Sequence, residues 1–114
     1  VLGLALVVVM LDACGSSSKA AVSAAGTPQQ QSCAAVTAVL GNGPDESEDP
    51  VGYAEAQILP LRALRIQDAA LERSVVDLSD AYKQFYATEG SASAKGAVSR
   101  ASAKVDAICP GATS

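Results

Sequence analysis

The chain is 114 residues long, with 12 acidic against 8 basic side chains, a net charge of −4 and no histidine. The bases are scattered rather than gathered on one face, which speaks against nucleic acid as a partner, and the missing histidine removes the commonest general base and metal ligand. Alanine makes up about a fifth of the chain and aromatics only 4%, a balance that suits close-packed helices and not a β-sandwich.

Val1 to Leu11 form an unbroken hydrophobic run. At 1.5 Å per residue it spans roughly 16 Å, about half a bilayer core, whereas a membrane-crossing helix needs about 20 apolar residues. The length suits the apolar core of a signal peptide, about 7–15 residues ahead of a small-residue cleavage site. Leu11-Asp12-Ala13-Cys14 closes the run, and the polar stretch Gly15-Ser16-Ser17-Ser18-Lys19 follows.

This stretch resembles the lipobox of bacterial lipoproteins, which is cut just before a cysteine that then carries the lipid. Leu11, Ala13 and Cys14 match the pattern. Asp12 departs from it, since Ser, Thr, Ala or Val is usual there. The alanine-rich body is similar in composition to small actinobacterial lipoproteins. The resemblance implies a signal peptide over residues 1–13 and lipidation at Cys14. The only group bound would be that covalent diacylglycerol, with no dissociable cofactor. It further implies an extracytoplasmic protein held to the cell membrane by its lipid, with an envelope protein or other envelope component as partner. One rival is an ordinary secretory signal cut near Val22-Ser23-Ala24, releasing a soluble helical inhibitor or signalling ligand. Another is an N-terminal helix that is buried and never removed.

Residues 14–28 read as a flexible tether, since Ser, Ala, Gly and Thr without apolar periodicity bury too little surface to offset chain entropy. A helical domain is expected over 29–111. Its first helix runs from about Gln29 to Leu40, with Cys33, Val36, Val39 and Leu40 on one face, and stops at Gly41-Asn42-Gly43-Pro44. The acidic run Asp45 to Asp49 lacks the ligand spacing of a calcium loop and suits the positive end of the next helix, with Asp49 as N-cap and Pro50 in the first turn.

From Val51 to Thr88 the spacing predicts one long helix. Leu61, Leu64, Asp68, Leu71, Val75, Leu78, Tyr82 and Phe85 recur at intervals of three and four, a heptad seam with one polar member. Pro60 either kinks this helix or divides it, and a kink is favoured because no Gly or Asn stands nearby. Arg73 and Asp77, one turn apart, are expected to pair. Gly90 is expected to end the helix as its left-handed residue, with Ser91 or Ser93 capping the last helix. On that last helix Ala94, Val98, Ala101, Val105 and Ile108 share a face. Residues 112–114 form a tail expected to fray.

The fold expected is all-α: an antiparallel three-helix bundle with a long central helix, or four helices if Pro60 is a true break. With Cys14 given to lipid, Cys33 and Cys109 remain as a disulfide pair in an oxidising compartment, closing a loop of about 77 residues. The alternative is two buried free thiols. On a straight hairpin Cys109 lies beside residue 71 and Cys33 beside residue 60, leaving a gap of about 16 Å that a disulfide does not bridge. The first helix must then cross obliquely, or the loop must shift it.

No metal motif, phosphate loop or nucleophile elbow is present, so the chain is read as non-enzymatic. Asp68 is the one carboxylate on the apolar seam; it pairs with Arg65 or fixes helix register. Tyr82 and Tyr86, with Phe85, concentrate the aromatic mass at one place and form the candidate partner surface, although Tyr82 and Phe85 also suit the core.

Overall fold

Residues 26–114 are described by a computed structural model, and they fold into four helices with no strands. These are α1 (Pro28–Leu40), α2 (Pro50–Ala63), α3 (Ala69–Ala87) and α4 (Ala92–Ile108). The signal-peptide reading, Cys14 and most of the tether lie outside the described residues.

Local chemistry sets each helix start. Thr27 caps α1 by accepting from the Gln30 backbone N–H at 3.1 Å, while Gln30 Oε1 accepts from the Thr27 N–H at 2.9 Å. This reciprocal pair satisfies two donors that a helix start leaves free. Asp49 caps α2 through the Gly52 N–H at 2.9 Å, with Pro50 in the first turn, as the sequence predicts. Ser91 caps α4 through the Ala94 N–H at 3.1 Å.

The long helix expected over 51–88 is two helices. α2 continues through Pro60 but ends one turn later at Ala63, and Leu64 is extended (ψ 140°). Pro60 donates no hydrogen bond to the turn before it, which weakens the ladder just where the helix stops. The break therefore lies at residues 64–68 and not at Pro60 itself. Asp68 is correspondingly not a seam residue. It caps α3, its carboxylate accepting from the Leu71 N–H at 2.9 Å. At the other end of α3, the left-handed turn begins one residue earlier than expected, at Glu89 (φ 52°), and continues through Gly90 (φ 84°). The Gly90 N–H donates back to Phe85 O at 2.8 Å.

The break lets α2 fold back along α3. Arg62, near the end of α2, donates through Nε to Ser79 Oγ at 3.1 Å and pairs with Asp80, both in the middle of α3. This is the ion pair among the described residues; Arg73 and Asp77 form none. α4 returns along α3 after the turn. Leu61, Leu71, Val75, Leu78 and Val105 are at most 1% exposed and form the centre of one core. Leu64 and Ile66, in the 64–68 connection, pack against its edge.

α1 is joined to this core by Val36 and Leu40 and by covalent chemistry. Cys33 and Cys109 form a disulfide with Cα atoms 5.4 Å apart. Because α2 folds back on α3 instead of extending it, the gap expected along a single straight axis does not arise. The last residues do not run free either. Ala112 is buried, and the Thr113 N–H and hydroxyl donate to the two Asp106 carboxylate oxygens at 2.9 and 2.5 Å.

Candidate functional site

The aromatic residues do not form one surface. Tyr82 is 4% exposed and packs edge-on against Tyr53, their ring centroids 5.8 Å apart. The Tyr53 hydroxyl donates to Leu40 O at 2.6 Å, so this ring pair ties α1, α2 and α3 together. Tyr86 stands apart and is 42% exposed. The proposed pairing of Tyr82 with Tyr86 as a single partner surface is thus not met: one ring belongs to the core and the other to solvent. Tyr86 has Glu55 of α2 as its neighbour, whose carboxylate, as hydrogen-bond acceptor and then as charge, raises the phenol above its usual value.

What the fold does build beside Tyr82 is a cleft of about 360 Å³. The α1–α2 loop and start of α2 contribute Glu46 and Pro50, α3 contributes Tyr82 and Phe85, and α4 contributes Lys95 and Val98. Small-molecule sites run from about 300 Å³ upward and combine an apolar lining with a few polar groups, and this cleft has that make-up. Tyr82, Phe85, Val98 and Pro50 supply the apolar lining, with a carboxylate on one wall and an ammonium on another. A second cavity of about 330 Å³ lies on the other side of the same loop, reached by Tyr53 and Ala112, and Glu46 lines both.

The loop between them holds its shape through its own side chains. The Asp45 carboxylate accepts from the Ser47 hydroxyl at 2.6 Å and the Ser47 N–H at 2.8 Å, and these bonds, the hydroxyl's first, lower its pKa. Gln57, buried on α2, donates through Nε2 to Asn42 O at 2.7 Å and pins the loop's beginning. Asp45 and Asp49 are thereby occupied in holding backbone, while Glu46 is left facing the ring pair. Burial above all pushes the Tyr82 hydroxyl far above its usual value, with Tyr53 and then the Glu46 carboxylate adding to the effect. Tyr53 is raised by burial and then by Glu46 as well.

Among the described residues, no three His, Cys, Asp or Glu side chains are grouped to hold a metal ion. No described helix is long and apolar enough to cross a membrane. The disulfide lines a shallow cavity of about 290 Å³ with Thr37 and Pro110. Asp68, considered above for register or pairing with Arg65, caps α3 through one carboxylate oxygen and forms no ion pair with Arg65. Sequence reasoning singled out Tyr82 but not Glu46, Lys95 or Val98 as its companions. The signal for them is conformational: only the fold-back at 64–68 and the turn at 88–91 bring the three segments together. Compared with protein-family models, curated proteins and solved structures, the chain matches none.

Proposed function

We propose that this chain is a non-enzymatic binding module of the cell envelope, held at the membrane by a lipid on Cys14. The observation that carries the anchor is the lipobox-like Leu11-Asp12-Ala13-Cys14 placed directly after eleven apolar residues. Two or three acyl chains, at about 0.8 kcal/mol per buried methylene, give a durable attachment where one chain gives a marginal one. The Cys33–Cys109 bond supports an exported location, because such bonds persist in oxidising compartments. The helical body, read as a small bundle, then stands off the bilayer on the tether, where it binds an envelope protein or another envelope component.

Expression in the native host tests the anchor. Intact mass should show a diacylglyceryl-modified Cys14 as the mature N-terminus, and Cys14→Ala should move the protein out of the membrane fraction. A variant as firmly bound as the wild type overturns the anchor. Wild-type protein in the medium with a mature N-terminus beyond residue 20 selects the secreted reading in its place.

A further inference from the structure

Resting on the binding-module reading, we propose that the cleft between the α1–α2 loop, α3 and α4 takes a small apolar zwitterion of dipeptide size, its ammonium toward Glu46 and its carboxylate toward Lys95. Three observations carry this. First, apart from Ser47 and Ser99, the uncharged lining is apolar and aromatic, from Pro50, Tyr82, Phe85 and Val98, which suits a hydrocarbon or aromatic side chain. Second, Glu46 and Lys95 border the same cleft, yet neither forms an ion pair with any described residue. One charge of each sign is therefore available to a ligand that carries both. Third, the volume of about 360 Å³ sits at the small end of ligand sites and limits the occupant to a small molecule or chain end.

A purely anionic ligand would meet Glu46, and a purely cationic one would meet Lys95. The zwitterion satisfies both walls while its apolar body covers the rings. Capture of a free amine or a free carboxylate is a recurring way of recognising peptide ends.

The test uses the full chain as isolated from its host, in phospholipid nanodiscs if lipidated and in buffer if not, with two-dimensional NMR as readout. The probes are leucyl-leucine, its N-acetyl derivative, which lacks the ammonium, and its C-terminal amide, which lacks the carboxylate. Leucyl-leucine should give saturable shifts at Val98 and Ser99. Each capped probe should bind about fivefold more weakly, the worth of one charge contact at a solvent-open rim. Lys95→Met should abolish the preference over the amide, and Glu46→Gln the preference over the acetylated form; both residues are exposed, so both variants should fold. No saturable shift up to about 10 mM, equal binding of the three probes, or shifts confined to other faces would each overturn the proposal. None of those results bears on the anchor, which the Cys14→Ala fractionation decides separately.

Discussion

Cutting the Cys33–Cys109 bond should remove a large part of the stability of this domain. The bond spans 76 positions, so it restrains nearly the whole described chain in the unfolded state. The loop-closure relation gives about 15 cal/mol/K for that length, or about 4.5 kcal/mol at 25 °C. An unfolding entropy of about 2.1 cal/mol/K per residue over residues 26–114 converts this to a fall of about 25 °C in melting temperature. The native contacts around the bond are modest, since α1 sends only Val36 and Leu40 fully into the core. The assay is thermal and urea unfolding followed by circular dichroism, oxidised against reduced, with the Cys33→Ser/Cys109→Ser double variant as a second route to the same state. If the oxidised and open forms melt within about 5 °C of each other, the unfolded-state account of this bond is refuted.

Two further predictions follow from burial. Leu71 is 0% exposed, so Leu71→Ala should cost about 2–5 kcal/mol in urea unfolding, while Leu59→Ala, at a site 74% exposed, should stay within about 0.5 kcal/mol; equal effects would mean that the core is not where α2, α3 and α4 meet. The Tyr82 hydroxyl is held above its usual 10.0, so above about pH 10 the unfolded chain releases a proton that the folded chain keeps. Stability should therefore be insensitive to this group below that pH and should fall as pH rises beyond it, with Tyr82→Phe flattening part of the decline; an identical slope in wild type and Tyr82→Phe would remove Tyr82 from the explanation.

Much of the helical framework was legible in the residues because local signals act locally. Asp49-Pro50 states a helix start outright, and the α4 face of Ala94, Ala101 and Val105 is buried as its spacing requires. The break at 64–68 was hidden by a coincidence of period. Leu61, Leu64, Asp68 and Leu71 keep three-and-four spacing across it, so a seam pattern runs on through a segment where the backbone leaves the helix. Asp68 followed by Ala69-Ala70-Leu71-Glu72 is itself a start signal, a cap with an acid in the first turn, but the heptad reading absorbed it. Thr27-Pro28-Gln29-Gln30 likewise contains a capping box that a tether drawn to residue 28 overran. The cleft was not legible at all, because its three walls come from segments far apart in sequence and depend on the direction in which α2 turns.

The position of the covalent bond also decides how this molecule responds to being pulled. Tension arriving from residue 26 enters at Thr27 and reaches Cys33 within about two turns of α1. From there the disulfide hands it directly to Cys109 at the end of α4. Stretching at that end therefore loads a sulfur–sulfur link before it loads Val36, Leu40 or the Tyr53 hydroxyl, and the part of α1 that completes the ring pair is shielded from mechanical wear.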